Sequence, residues 1–380
     1  MKKKVLINST IYTGESEEPI KDGFIRFSEK IAEVGDMKFY KKEQDEEVID
    51  AAGKIVIPGM IDVHIHGGHG IDAMDADPDN LTFLSEKLLN EGVTSFFATT
   101  MTQEPNAIEA ALKSVKVAQE KGASIEGVHL EGPYISEKRA GAQPHEYIKD
   151  PDIAQFLKWH EASGELIKLV TYAPERPGAA EFEEVMLERG IVPSVGHSDA
   201  VREELIKSKA SHATHLYNGM RGLHHREAGV AGHALLTEGL QVEIIADGIH
   251  ITPDMIDLAY RMKGAKGIVL ISDAMRAKGM KDGEYELGGQ KVWVKDGQAR
   301  LEDNTLAGSV LKMDEAFRNI MTFTGCSVGE AVQMTSGNQA REFGLDHKGF
   351  ITSGKDADFI IMNEHFEVEK TYRLGKTEEK

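Results

Sequence analysis

Cysteine is almost absent from this sequence, since Cys326 is the only one among 380 residues. A chain with a single thiol can form neither an internal disulfide nor a cysteine-based zinc cluster. Long apolar runs are absent too, and no stretch approaches the roughly 20 residues that a membrane-spanning helix needs. The basic start, Met1 to Lys4, precedes a polar-interrupted segment that is too short to be a signal peptide. We therefore expect a soluble, cytoplasmic protein.

Positive charge is also scarce, because 44 lysines and arginines stand against 63 aspartates and glutamates, for a formal net charge of −19. Such a surface repels DNA, RNA and anionic lipid, so we expect neither nucleic acid nor a membrane as a partner. It also repels an anionic small molecule. A site for a phosphorylated substrate would therefore have to be locally basic.

Short apolar runs alternate with helical patterns through most of the chain. Eight runs rich in β-branched residues read as buried strands, at 57–66, 93–99, 125–130, 166–172, 191–195, 212–216, 242–246 and 268–272. Between them, segments such as 81–89 and 255–262 repeat apolar residues every three or four positions, as helices do. Eight buried parallel strands with intervening helices predict a TIM-like (β/α)8 barrel.

The two chain ends have a different pattern. Strand-like runs without a convincing helix occur at 5–11, 23–27 and 31–34, and again at 358–363 and 370–374. Because chain termini often lie close together, we expect both ends to form one small β-sandwich beside the barrel. The predicted domains are 1–56 and 348–380 for the sandwich and 57–347 for the catalytic barrel. A hairpin around Gly288 and Gly289 is expected to interrupt the last crossover.

Histidines and acids cluster where the predicted strands end, which is where barrel enzymes carry their active sites. These residues are His64, His66, Glu131, His197, His215, His250 and Asp273. His64 and His66 are two apart on a strand and so point to the same side. Each residue also has an ordinary interpretation, such as a surface glutamate at a turn or a histidine at a helix start.

Taken together, the set predicts a divalent metal site. A carboxylate directly after a buried strand, as at Glu131, is costly unless it meets a cation. Histidine-rich ligation with a carboxylate suits zinc, iron(II) or a similar ion. His212 and His215 compete for one ligand position, and we choose His215 because it is nearer the strand end. Asp273 is the predicted general acid–base group, next to water that a metal ion acidifies.

The loop at 218–227 adds several cationic or potentially cationic groups to the same face of an acidic protein. Arg226 is suited to bidentate phosphate binding. The alternative interpretation is an ordinary solvated loop.

Several motifs resemble a known family. PGMIDVHIHG at 58–67 is similar to the metal-binding opening of the amidohydrolase superfamily. HLEGP at 129–133, GHS at 196–198, THLYNGM at 214–220, ADGIH at 246–250 and SDA at 272–274 narrow the resemblance to the N-acetylglucosamine-6-phosphate deacetylases. The resemblance extends from the N-terminal strands to the GKDAD segment at 354–358.

The resemblance implies a role for each matching residue. Glu131, His197 and His215 match the main metal ligands, and His64 and His66 match a second site found in two-metal members. Asp273 matches the catalytic aspartate. The groups that hold the sugar phosphate correspond to Asn218, Gly219, Arg226 and His250. Apart from the resemblance, we expect His225 to assist Arg226, because it is the next residue in the chain. Two departures stand out: Gln143 occupies a position near the acetamide where some relatives have histidine, and Gly219 replaces a frequent alanine.

The implied activity is hydrolysis of N-acetylglucosamine 6-phosphate to glucosamine 6-phosphate and acetate, in amino-sugar catabolism. The implied partners are a small amino-sugar phosphate, one or two zinc or iron ions and a second copy of the chain in a homodimer. Two alternatives remain open. One is a cyclic-amide hydrolase of the dihydroorotase or hydantoinase type, although no lysine ends strand four. The other is a non-enzymatic assembly protein with the same fold.

Overall fold

Strands and helices alternate along most of the chain in this computed structural model, which describes residues 3–377. The strands are β1 (Lys4–Ile11), β2 (Ile20–Phe27), β3 (Ile31–Asp36), β4 (Glu47–Asp50), β5 (Ile55–Pro58), β6 (Met60–Ile65), β7 (Gly67–Gly68), β8 (Ile71–Asp72), β9 (Val93–Thr100), β10 (Ile125–Glu131), β11 (Ile167–Tyr172), β12 (Val192–Val195), β13 (His212–Ala213), β14 (Gln241–Ile245), β15 (Ile268–Ile271), β16 (Gly283–Leu287), β17 (Gln290–Lys295), β18 (Gln298–Arg300), β19 (Phe359–Met362) and β20 (Val368–Tyr372).

The helices follow the barrel strands. They are α1 (Pro78–Leu88), α2 (Pro105–Glu120), α3 (Ile153–Ala162), α4 (Ala179–Leu187), α5 (Arg202–Leu205), α6 (Gly229–Leu236), α7 (Pro253–Lys263), α8 (Met313–Thr324), α9 (Val328–Val332) and α10 (Asn338–Glu342), and a π-helical turn (Gln333–Gly337) joins the last two. Helix α1 illustrates how such a helix begins. The Asp77 side chain accepts hydrogen bonds from two backbone amides of the first turn, and Pro78, at the first helical position, has no amide hydrogen that would need a partner. None of the helices within residues 3–377 has both the length and the apolar composition needed to cross a bilayer.

The predicted barrel is confirmed. Strands β6 and β9 to β15 form one eight-stranded parallel sheet in sequence order, and a parallel bridge between Ile65 and Ala274 joins its two ends. In β6, Ile61, Val63 and Ile65 are buried in the large hydrophobic core. His64 lies on the opposite face of the strand because side chains alternate, and this alternation directs it toward the barrel interior.

Strands from both chain ends form one seven-stranded mixed sheet. This sheet is the small β-domain that was expected from the two chain ends. Strand β1 pairs with β2 on one side and with β4 and β5 on the other, and β5 pairs antiparallel with β19 from the far end of the sequence. The sheet has its own core, which includes Leu6, Phe27 and Phe359. The domain boundaries at 56/57 and 347/348 stay predictions, and Met1, Lys2 and residues 378–380 lie outside the described residues.

The prediction of one strand at 57–66 is wrong. Ile57 and Pro58 belong to β5 in the terminal sheet, and the barrel strand β6 begins only at Met60. Gly59 lies between the two strands, where a Cβ atom would sit 2.1 Å from Thr94 Oγ1. The chain can therefore pass from one sheet to the other at this point only without a side chain.

The expected hairpin is present and has a third strand that was not predicted. Strands β16, β17 and β18 form an antiparallel sheet. Its first turn reaches the barrel, where Gln103 Nε2 donates to the Gly288 carbonyl over 3.3 Å. Leu287 and Met101 belong to a shared small core, so this sheet packs beside the C-terminal ends of the barrel strands.

Candidate active site

The predicted metal ligands and Asp273 lie at, or within two residues after, the C-terminal ends of different barrel strands. Glu131 is the last residue of β10, and His66 follows β6 directly. His197, His215 and Asp273 each lie two residues after a strand, with backbone φ angles of 46°, 29° and 48°. A left-handed backbone at a non-glycine residue costs on the order of 1–3 kcal/mol and persists only where its surroundings hold it. These bends turn three side chains over the mouth of the barrel.

Glu131, His197 and His215 meet at one point. Glu131 Oε1 lies 3.1 Å from Nε2 of each histidine, and the two Nε2 atoms are 3.1 Å apart. On the other side of each ring, Nδ1 donates to a backbone carbonyl, that of Arg139 at 2.8 Å and that of Asn218 at 3.1 Å. A carbonyl can only accept, so each neutral ring keeps its proton on Nδ1 and presents the Nε2 lone pair to the site.

His64, His66 and Asp273 form a second group beside the first. Asp273 Oδ1 lies 3.4 Å from Nε2 of each histidine, and His66 Nε2 is also 3.3 Å from Glu131 Oε2. His64 Nε2 is buried and has no hydrogen-bond partner among residues 3–377. Because Glu131 lies close to residues of both groups, the two groups are adjacent and Glu131 lies between them.

These atoms fit a divalent metal ion. Lone pairs that face one another at 3.1 Å in a buried site repel unless a cation lies between them. Zinc binds imidazole nitrogen at about 2.0–2.1 Å, which places tetrahedral ligands roughly 3.3 Å apart. Three sets of three residues have ligating atoms within 4.8 Å of one another. Two lie at the mouth of the barrel, namely Glu131, His197 and His215, and His64, His66 and Asp273. The third, His64, His129 and Glu243, lies within the barrel strands themselves. The structure therefore provides donor sets for one ion or two.

Local charge keeps the acids ionised despite their burial. Burial alone would raise the pKa of Glu131, but the imidazoles of His64, His197 and His215 hold that pKa well below its usual range when they are protonated. A metal ion bound by the neutral rings would lower it in the same way. Burial likewise opposes ionisation of Asp273, and His64 and His66 lower its pKa. Both carboxylates are thus ready to face a cation or to accept a proton.

A cavity of about 230 Å³ opens over these groups. Its lining includes four of the predicted substrate residues, Gln143, Asn218, Gly219 and His250. His250 Nδ1 lies 2.6 Å from Asp247 Oδ2, and although burial alone would lower the pKa of His250, Asp247 raises it. A charged or hydrogen-bonding imidazole therefore faces the cavity.

The two departures from the family pattern have physical consequences. Gln143 Oε1 accepts from the Thr102 backbone amide and its Nε2 donates to Glu131 Oε2, both over 2.8 Å. Gln143 thus orients Glu131 directly. Gly219 has a φ of 56°, and a Cβ atom there would lie 2.8 Å from His197 Nδ1. An alanine at this position would need His197 or the loop to shift.

Arg226 and His225 lie apart from this cavity. Both are exposed on the loop after β13, and Arg226 Nη1 is 2.6 Å from His225 Nε2. Neither residue contributes to the cavity lining. Their predicted role toward phosphate remains a prediction.

Comparison with known proteins agrees with this geometry. A family model described as the amidohydrolase family matches residues 55–377. The chain belongs to the amidohydrolase family. It is 45% identical to N-acetylglucosamine-6-phosphate deacetylase from Bacillus subtilis (strain 168), over 99% of this chain and 97% of that protein.

Two further relatives bear on the substrate. A solved structure of a mutant N-acetyl-D-glucosamine-6-phosphate deacetylase from Mycobacterium smegmatis, in complex with N-acetyl-D-glucosamine-6-phosphate, matches this amidohydrolase with a TM-score of 0.93 at 29% identity, over 99% of both chains. N-acetylgalactosamine-6-phosphate deacetylase from Escherichia coli O157:H7 is 35% identical over 87% of this chain and 89% of its own length.

Sequence reasoning missed one buried acid of this amidohydrolase. Glu243 lies within β14 and is fully buried. Its Oε2 atom is 2.9 Å from His64 Nδ1, and its Oε1 atom is 3.2 Å from Nε2 of His212, the histidine not chosen as a ligand. The available signal was a lone charged residue inside an apolar strand, which is costly without a partner.

Proposed function

We propose that this amidohydrolase removes the acetyl group from N-acetylglucosamine 6-phosphate, yielding glucosamine 6-phosphate and acetate in amino-sugar catabolism. The observation that carries the proposal is the meeting of Glu131, His197 and His215 beside Asp273, under a cavity of about 230 Å³. Two relatives that are named as deacetylases align with nearly the whole of this chain, and this similarity supports the proposal. Cyclic-amide hydrolysis and a non-enzymatic role have no comparable support.

Glu131, His197 and His215 would hold one divalent ion, and His64 and His66 a second. We propose zinc or iron(II) for both positions. A divalent ion supplies two things in such sites, since it polarises a carbonyl oxygen and acidifies water toward neutral pH. The Nδ1 hydrogen bonds of His197 and His215 keep both rings aimed at that position.

Asp273 is the group that would move protons. Asp273 lines the cavity, and its backbone amide donates to the His64 carbonyl over 2.8 Å. In the ionised form it accepts the proton of the attacking water. It then donates that proton to the amine as the amide bond breaks.

Four groups on the cavity wall would orient the sugar. His250 and Asn218 can bind hydroxyl or phosphate oxygens, and the Gly219 backbone amide can donate to the same ligand. Gln143 is committed to Glu131 and the Thr102 amide, so its proposed contact with the acetamide would be through the remaining N–H of its Nε2 atom. Arg226, assisted by His225, would bind the phosphate in its own subunit or in the other subunit of a homodimer.

The proposed compartment is the cytoplasm, where sugar phosphates occur as metabolic intermediates.

The test is an acetate-release assay combined with elemental analysis of the purified protein. Acetate release is measured from N-acetylglucosamine 6-phosphate and from its galactosamine epimer, and ring opening is measured with dihydroorotate as a cyclic amide. We expect faster acetate release from the glucosamine derivative than from its epimer, no ring opening of dihydroorotate, and stoichiometric metal. Absence of acetate release by metal-loaded protein from either sugar phosphate would overturn the proposal, and faster turnover of the epimer would reassign the sugar.

The number of ions is tested separately. A double change of His64→Asn and His66→Asn should lower the metal content per subunit while the ion at Glu131, His197 and His215 is retained. Unchanged metal content would mean that the second site does not exist.

A further inference from the structure

Glu243 connects the two donor sets from below. It lies in the middle of barrel strand β14 and is fully buried. Its Oε2 atom accepts from His64 Nδ1 over 2.9 Å and from the His215 backbone amide over 2.9 Å. One carboxylate oxygen therefore contacts a residue of each donor set, although β14 provides no predicted ligand.

The position of the His64 proton follows from this contact. An ionised carboxylate only accepts hydrogen bonds, so His64 must carry its proton on Nδ1. Its Nε2 atom then presents a lone pair toward Asp273 Oδ1, which lies 3.4 Å away. His66 differs, because its Nδ1 atom is buried with no hydrogen-bond partner among the described residues.

A contribution to the stability of the fold does not by itself explain why a carboxylate is buried at Glu243. A buried carboxylate is costly, and replacing buried ionic groups with apolar side chains of similar size is often neutral or stabilising. The cost is offset in part by His212, which lies 3.2 Å from Glu243 Oε1 and donates from Nδ1 to Glu342 Oε1 over 2.8 Å. Two buried polar groups, Glu243 and His212, and the half-buried Glu342 thus hold one histidine ring and one loop amide.

We propose that Glu243 is a positioning residue for the metal centre. It holds His64 in the Nδ1–H tautomer with Nε2 directed into the site, and it fixes the bend after β13 that brings His215 to Glu131. This inference rests on the proposed metal-dependent function. It concerns ion binding and not the identity of the substrate.

The test compares three variants of the full-length protein. Glu243→Gln keeps the shape and one acceptor oxygen but removes the charge. Glu243→Leu removes both. Glu183→Gln is the matched control, since Glu183 is also buried and hydrogen-bonded, to Ser208 and the Lys209 amide, away from the donor sets.

The readouts are zinc affinity by competition with a chromogenic chelator and the visible absorption spectrum of cobalt(II)-loaded protein. Loss of a group that orients a metal-binding histidine typically costs roughly 10- to 100-fold in metal affinity. We expect about 10-fold for Glu243→Gln, about 100-fold for Glu243→Leu, and an altered cobalt spectrum in both. The Glu183→Gln protein should bind zinc and cobalt as the unaltered protein does.

The outcomes separate this inference from the proposed function. If folded Glu243→Gln protein has the zinc affinity and cobalt spectrum of the control, Glu243 is not a positioning residue. If Glu243→Leu does not fold, Glu243→Gln alone decides. If the unaltered protein takes up no ion, the proposed metal centre fails and this inference fails with it, whereas loss of acetate release with normal ion binding would overturn only the substrate assignment.

Discussion

A cluster of acidic side chains lies at each end of strand β10, and different groups balance the negative charge of the two clusters. Near its start, Glu126 belongs to a cluster in which Lys348 Nζ lies 3.5 Å from Glu126, 3.0 Å from Asp356 and 2.7 Å from Asp358. At its end, Glu131 meets histidines whose lone pairs face it. No lysine or arginine pairs with Glu131 among residues 3–377.

The difference separates a structural cluster from a site that takes up a ligand. Burial opposes ionisation of Lys348, yet Asp358 and Glu126 raise its pKa, so the chain supplies its own cation where the barrel meets the terminal sheet. At the opposite end of the same strand, Glu131 meets imidazole lone pairs and the neutral amide of Gln143, but no lysine or arginine of residues 3–377. A cation must then come from solution, which is the condition for a metal site.

The largest expected effect is on turnover, at the end that lacks a built-in cation. Asp273→Asn keeps the shape of the side chain but cannot accept and return a proton. We expect turnover to fall by about 10²–10⁴-fold, the usual contribution of general acid–base catalysis. The measurement is acetate release together with metal content.

Metal content is the control for this variant. Asp273 lies with His64 and His66, so the ion at Glu131, His197 and His215 should remain. Near-normal turnover of the folded variant would rule out the role assigned to Asp273.

The next effect is on stability, at the end with the built-in cation. Lys348→Met leaves Asp358 and its neighbours without their common partner. Removing one member of a buried ion pair costs about 3–5 kcal/mol. We expect a loss of that size in the free energy of unfolding, measured by denaturant titration.

Lys113→Met is the matched control for Lys348→Met. Lys113 pairs with Glu109 on the surface of α2, and its side chain is 62% exposed. An exposed pair contributes about 0–1 kcal/mol. Equal losses in the two variants would contradict the view that Lys348 is an internal counter-ion.

The same comparison shows what could be predicted from sequence. The eight strands and the terminal β-domain were predictable because buried strands are apolar runs and the strand and helix periodicities differ. Glu131 was recognisable because it directly follows such a run. Glu243 and Lys348 were not, because their partners lie 179 and 10 residues away and only the fold shows that they meet.

The boundary between β5 and β6 could not be predicted for a related reason. Both strands are apolar and buried, so no change of pattern marks the passage at Gly59 from one sheet to the other. The side chain of Thr94 makes glycine necessary there, and Thr94 belongs to a different strand.

Arg226 is the reverse case of Glu131, because it is a cation for which residues 3–377 provide no carboxylate partner. Its guanidinium contacts His225, and no carboxylate pairs with it within residues 3–377. If a substrate phosphate supplies the anion, Arg226→Ala should lower kcat/KM for the phosphorylated sugar by roughly 10- to 150-fold. Hydrolysis of unphosphorylated N-acetylglucosamine should change little.

Arg261→Ala is the control for a general loss of positive charge. Arg261 lies on α7, and its side chain is 74% exposed and paired with Asp257. This variant should leave both substrates unaffected. Equal losses for both substrates in Arg226→Ala would mean that Arg226 supports the loop or a subunit interface.

The smallest expected effect concerns a histidine surrounded by cations instead of acids. Burial, followed by the charges of Arg202 and Lys263, lowers the pKa of His233 to about 4. The folded protein therefore keeps this ring neutral, whereas the unfolded chain binds a proton near pH 6.5. Since the unfolded state takes up the proton first, this group destabilises the fold as pH falls from 6.5 toward 4, and contributes nothing above that range.

His233→Gln removes the titration while keeping an acceptor for Arg202, whose Nη1 atom lies 3.2 Å from His233 Nδ1. We expect the fall in Tm between pH 7 and pH 5 to be smaller in the variant, by on the order of 1–3 °C. The effect on Tm is small because the chain is long, and a given change in the free energy of unfolding shifts Tm less in a larger protein. Thermal unfolding at several pH values measures it, and parallel pH dependence of Tm in the two proteins would show that these cations do not hold His233 neutral.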